Sequence, residues 1–336
     1  MMMTRIRSLA AAVIATILLG SCGGEPTGPG VGMGQVALAP VFASANEASI
    51  VDVAFVRVRI NELLRQDALI DTVIAWPATG DSLVIRLALP VQVEPYALRL
   101  AMANAQGDTV FRAGPTPVRA RLNPDPDDVA SPVLTYIGVG SDATGVRFVS
   151  PPVSADFGQT VGIVAEAFDG QNNVIAGTPI AYALVNPADS VRARFPDRGV
   201  GSLVVGNVRG DVAIEARLLT GPSVTTTIAV QPVANGIIAQ SGNNQSGTAG
   251  GALAQPLVAR VRAADGLGVA GVPVAFTVLT GGGTLGTVID TSDANGDAST
   301  TLTLGLVAGA QTVRASLPSV AGAEVIFTAN AVGGAA

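Results

Sequence analysis

Two stretches of this chain read as copies of one another: Ile175-Ala-Gly-Thr-Pro-Ile-Ala-Tyr182 and Val269-Ala-Gly-Val-Pro-Val-Ala-Phe276. They align without a gap, 94 residues apart. Each holds a turn, a Pro that opens a strand, and an aromatic whose place in the alternation carries it inward. Asp169-Gly170 and Asp265-Gly266 precede them, with a loop two residues shorter in the second copy. Further along, Gly210-x-x-Ala-Ile-x-Ala216 matches Gly309-x-x-Thr-Val-x-Ala315, 99 residues apart. A period of roughly 100 residues is the length of one two-sheet β-sandwich.

The sequence around these copies reads as strand throughout. Apolar runs of five to ten residues alternate with Gly, Pro, Asn and Asp clusters, the signature of short strands and turns. Val53–Ile60 and Leu83–Leu89 show the period of two of half-buried strands. The best helical candidate, Ile60–Leu69, is short. Two breaks divide the chain, a Pro/Asp-rich linker over 123–134 and a shorter one over 232–236. The predicted architecture is all-β, with three tandem sandwiches over 34–122, 135–231 and 237–332.

Composition narrows the chemistry. The 336 residues include 19 Lys+Arg, every one Arg, against 25 Asp+Glu, with no His and one Cys. Without His there is no Ser-His-Asp or Cys-His pair and no imidazole metal ligand. Without Lys there is no Schiff base and no P-loop lysine. A formal net charge of −6 predicts no basic surface for nucleic acid and no nucleic-acid partner. Glycoside hydrolysis needs only two carboxylates, but three sandwiches leave no segment for a catalytic domain. The expectation is a non-enzyme without a cofactor.

The N-terminus reads as an address. Arg5 and Arg7 precede Leu9–Leu19, an apolar run broken only by Thr16. Eleven helical residues would reach about 17 Å of a ~30 Å hydrocarbon core, the size of a signal-peptide core and not of a membrane span. Leu19-Gly20-Ser21-Cys22 follows and holds the only Cys. It resembles the lipobox of bacterial lipoproteins. That resemblance implies a signal peptide over 1–21, recognition by its peptidase through Leu19, Gly20 and Ser21, and a mature N-terminal Cys22 carrying acyl chains, palmitate among them. Gly23 in place of Asp fits outer-membrane sorting. Residues 22–33, rich in Gly and Pro, then form a tether that reaches about 40 Å when fully extended. The chain is thus expected to be exported and held to the cell envelope by its lipidated N-terminus.

Residues 237–332 resemble a bacterial Ig-like domain of group 1, the module repeated in intimins and invasins. The matching pieces are Asp265-Gly266, Val272–Val278, Gly281-Gly-Gly-Thr-Leu285, Thr291–Ala298 and Gly309–Ala315. Residues 135–231 resemble a degenerate group 2 Ig-like domain through Phe157-Gly-Gln-Thr160, Ile175–Pro179 and Gly210–Ala216. Tyr182 stands where that group usually has Trp. The resemblance implies adhesion to a protein or polysaccharide surface, with the chain as a non-catalytic stalk. A ligand-binding role for 34–122, toward carbohydrate or peptide, and a periplasmic partnership with an outer-membrane assembly stand as alternatives.

Several side-chain groups invite a site. Asp293-Ala-Asn-Gly-Asp297 invites a calcium loop, but Gly296 is fourth and the twelfth position is Leu304, without a side-chain oxygen, so it reads as a hairpin turn in which Asn295-Gly296 supplies two positive φ angles. Asp265 with Asp290, Asp293 and Asp297 would face the preceding sandwich, where a cation could stiffen the junction. Asp125, Asp127 and Asp128 read as solvated linker. Arg57, Arg59 and Arg86 read as outward strand charges or as anion ligands. Trp76 and Tyr96 would form either a sugar platform or core. At the far end, Thr280–Thr284 and Gly305–Ala310 carry no charge. Leu306 and Val307 there are expected either at a contact surface or tucked into the sandwich.

Overall fold

The computed structural model describes residues 13–17, 32–42, 50–63, 65, 67–76, 83–123 and 129–333. Leu19, Gly20, Ser21 and Cys22 of the lipobox, most of the 22–33 tether, and Asp125, Asp127 and Asp128 lie outside the described residues. Those described fold as β-sheet around three separate apolar cores. No described helix is long and apolar enough to cross a membrane.

The first core lies between two sheets. The strands are β1 (Val13–Ile17), β2 (Met33–Leu38), β3 (Val41–Phe42), β4 (Phe55–Glu62), β5 (Ala68–Ala75), β6 (Leu83–Pro90), β7 (Tyr96–Ala103), β8 (Thr109–Val118), β9 (Val129–Ala130) and β10 (Val133–Tyr136). One sheet runs β1-β6-β2-β9 and the other β3-β10-β8-β7-β4-β5. Alternation builds the interior. Val56, Val58 and Ile60 of β4 face Leu83, Ile85, Leu87 and Leu89 of β6 within one buried cluster. Each such side chain contributes about 1.5–3 kcal/mol on burial.

The second core is bounded by β11 (Gly145–Phe148), β12 (Ser154–Asp156), β13 (Thr160–Gly162), β14 (Ala165–Phe168), β15 (Ile180–Leu184), β16 (Ala193–Arg194), β17 (Ser202–Val205), β18 (Gly210–Leu218) and β19 (Ser223–Gln231). Its main sheet is β12-β19-β18-β15. The third is bounded by β20 (Gly236–Ser241), β21 (Gln245–Thr248), β22 (Leu257–Arg262), β23 (Pro273–Thr280), β24 (Thr284–Leu285), β25 (Ile289–Thr291), β26 (Asp297–Thr300), β27 (Leu302–Thr303), β28 (Gly309–Ser316) and β29 (Glu324–Val332). Here β20-β22-β26 faces β21-β29-β28-β23-β25, the two-sheet layout of an Ig-like sandwich. In each unit an early strand lies parallel to the last: β2 to β9 and β3 to β10, β12 to β19, β21 to β29.

The repeated pieces meet each other in space. Tyr182 pairs directly with Ala216, and Phe276 with Ala315. Both aromatics are buried, and both alanines are fully so. A large ring opposite a methyl fills the inter-sheet space without overpacking. Gly210 and Gly309 both have φ of 129°, a backbone state that L side chains rarely adopt.

Three expectations are corrected. Ile60–Leu69 is not a helix: Ile60–Glu62 ends β4, and Ala68 already starts β5. The apolar residues that suggested a helical turn instead serve two adjacent strands, and buried Asn61 closes the connection through Nδ2 to the carbonyls of Glu62 and Arg65 at 2.9 and 2.7 Å. The 123–134 linker is partly strand, because β9 pairs with β2 and β10 with β3 and β8. Leu134 and Tyr136 thereby close the first core; Pro132 falls between two strands, where its missing donor costs nothing. The turn at Asp293–Asp297 has only one left-handed residue, Gly296 at φ 84°. Asp293 Oδ1 accepts from the amides of Asn295 and Asp297 instead, so the side chain shapes the turn that two positive φ angles were expected to make.

Candidate interaction surfaces

The carboxylates of the third sandwich are each engaged by protein groups. Asp297 is held bidentately by Arg260 at 2.7 Å on both oxygens. Asp290 accepts from the Ser299 and Thr291 amides. Asp293 is held below the ordinary carboxyl range chiefly by the amides of Asp297 and Asn295. Asp265 receives Arg209 of the second sandwich, Nε to Oδ2 at 2.7 Å and Nη2 to Oδ1 at 3.0 Å, while Nη1 donates to the Gly268 carbonyl at 3.1 Å. That guanidinium is the main cause of Asp265's lowered pKa. The junction is therefore crossed by an arginine fork, and Phe157 packs against both adjoining cores. Among the described residues no group of three or more His, Cys, Asp or Glu is placed to hold a metal ion.

Tyr96 is not a platform residue. It is 1% exposed and its hydroxyl donates to the Pro90 carbonyl at 2.6 Å. Trp76 packs on the same core and meets Phe42 edge-on at 6.1 Å. Tyr136, which sequence reasoning left in the second sandwich, is buried on the first, and burial pushes its hydroxyl up to about 12.

Four arginines gather on one face of the first sandwich. Arg57 and Arg59 on β4, Arg99 on β7 and Arg112 on β8 all lie exposed on the outer face of the six-stranded sheet. They surround a shallow depression of about 370 Å³ floored by Ala101 and Gly114. Arg86, on β6, belongs to the other sheet. Arg57 and Arg59 were legible as outward charges; Arg99 and Arg112 join them only through strand register.

At the opposite end of the third sandwich from Asp265, the loops at Gly250, Gly281 and Gly305 come together. The Gly250 amide donates to the Gly305 carbonyl at 3.1 Å, and Gly305 donates to Gln311 Oε1 at 2.9 Å. Leu306 and Val307 project from this end, 88% and 76% exposed. They are not tucked into the core.

No protein-family model matches the chain, and no curated protein matches it. Solved structures similar to it include the D00-D0 domain of intimin, at 18% identity over 56% of this chain and 98% of that one, with a TM-score of 0.33. Another is FdeC, an Escherichia coli adhesin, at 16% identity over 71% and 93%, TM-score 0.40. A third is the Yersinia pseudotuberculosis adhesin InvE, at 18% identity over 58% and 61%, TM-score 0.29.

Proposed function

We propose that this protein is a non-catalytic, adhesin-like lipoprotein of the bacterial cell envelope, anchored at Cys22 in the outer membrane and presenting the far end of its third sandwich to a partner surface. The observation that carries the reading is the exposure of Leu306 and Val307 at an uncharged tip. Two neighbouring aliphatic side chains held in solvent by a well-packed fold suit a contact surface better than a solvated turn. The lipobox-like Leu19-Gly20-Ser21-Cys22 supports the anchor. Cleavage before Cys22 would also remove β1, leaving β6 as the edge of its sheet.

The test uses whole cells. Cys22→Ala should release the protein from membranes or leave an uncleaved precursor. Leu306→Asp with Val307→Asp should keep the protein anchored, weaken adhesion or self-association, and leave the melting temperature nearly unchanged. Undiminished adhesion by the double variant would remove the tip from the proposal. A soluble, unmodified wild-type protein in mass spectrometry would remove the anchor.

A further inference from the structure

We infer that the arginine face of the first sandwich binds an acidic polysaccharide. The register sets the array. Arg59 lies directly opposite Arg99, while Arg57, Ala101 and Arg112 form a neighbouring row across β4, β7 and β8. Rows two residues apart are separated by about 7 Å, and adjacent strands by about 4.8 Å. Four guanidinium groups thus stand around one trough.

Little inside the molecule balances them. Asp71 is bound by Arg57, with both contacts at 2.7 Å, and Arg59 adds a weaker pull on the same carboxylate. Arg99 donates to the neutral Asn61 Oδ1 at 2.6 Å. Arg112 has no ion-pair or hydrogen-bond partner among the described residues. Like charges directly opposite on paired strands are destabilising. A chain with 19 cations against 25 acids nonetheless places four of them here, which an external anion explains and packing does not.

The backbone is shaped at the same place. Between Leu98 and Leu100 the β7–β8 register slips, so that Gly114 and Pro115 oppose Arg99 alone. Bulges of this kind re-aim side chains beside functional sites. Gly114 has φ of 93°, and a Cβ there would sit 2.3 Å from the Leu98 carbonyl oxygen. Only glycine fits, and it leaves the floor between Arg99 and Arg112 bare.

Charge complementarity requires an anion, and the geometry selects its carrier. The strands β4, β7 and β8 each have ladder neighbours on both sides, so no backbone edge is open to an extended peptide. The arginines ring a depression with no apolar rim of the kind that inserts into a bilayer. None of the residues lining the depression is aromatic, whereas single-stranded nucleic acid is bound on successive stacking rings. A linear glycan with a carboxylate or sulfate on successive sugars fits the trough and meets several guanidinium groups at once. Phe55, exposed on the same face of β4 between Ala75 and Ala103, offers a ring against which one sugar can stack.

The experiment measures full-length protein on immobilised heparin and polygalacturonate, with dextran, phosphatidylglycerol vesicles and single-stranded DNA as comparisons. Binding to at least one acidic glycan is expected, weakening as salt rises, with none to dextran. Arg59→Gln with Arg112→Gln should reduce affinity by about tenfold or more, the equivalent of losing roughly one charge-assisted hydrogen bond, at an equal or higher melting temperature. Arg112→Gln alone, which breaks no internal contact, should show part of the loss. Absence of glycan binding, undiminished binding by both variants, or tighter binding to vesicles or DNA would overturn the inference. The tip variant Leu306→Asp/Val307→Asp should bind these glycans normally, so failure of the tip proposal and failure of this one are distinguishable.

Discussion

Arg209 bridges the junction whose carboxylates read by default as solvated turn acids, with a cation as the alternative. Its fork spans two sandwiches, with side chains 33% exposed for Arg209 and 11% for Asp265, so the pair is partly shielded but still solvent-screened. Its contribution is about 1 kcal/mol. Because the guanidinium depresses the Asp265 pKa, that contribution is complete above the unfolded value of about 3.9 and is lost as pH falls through the lower folded value. Arg209→Ala should therefore loosen the junction in small-angle scattering at neutral pH, and wild-type protein should approach the same profile in strong acid. EDTA should change neither. A profile that responds to EDTA but not to Arg209→Ala would mean that a cation holds the junction after all. Asp265 was legible as a junction residue from the order of strands. Its partner was not, since Arg209 stands 56 positions away and nothing local marks it.

The strands themselves were written plainly. Alternation located β4 and β6, and the duplicated Gly-x-Pro pieces marked the strands that carry Tyr182 and Phe276, while their partners Ala216 and Ala315 emerged only from the register. What local pattern misread were the connections. Residues 60–69 carry apolar spacing that serves a helix or two short strands equally, and the pairing of β4 with β5 and β7 realises the strands. In 123–134 the prolines suggested a break, but the alternation of Val133–Tyr136 feeds the first core. The arginine face depended wholly on which strands became neighbours. Phe276 offers the sharpest check on the repeat. An isolated 237–332 fragment should melt cooperatively and, lacking Cys, be indifferent to reductant. Phe276→Ala should cost it about 3–5 kcal/mol. A fragment without cooperative melting, or a loss well under that range, would show that the aromatic–alanine pair does not anchor this sandwich.

Across the whole molecule, the parallel pairing of early and last strands has a mechanical meaning. Force entering the third sandwich at the start of β21 and leaving at the end of β29 pulls these two strands past each other along their length. Their hydrogen bonds lie across the load and must fail together, in shear. The antiparallel β28–β29 hairpin would instead unzip one bond at a time. In single-molecule pulling, handles at Gln245 and Val332 should give a markedly higher rupture force than handles at Gly309 and Val332. Equal forces would show that the parallel pair bears no special load. The second sandwich repeats the arrangement in β12 and β19, and the first does so twice, in β2–β9 and β3–β10. A chain built this way resists being drawn out between its ends while giving way readily where a hairpin is peeled open.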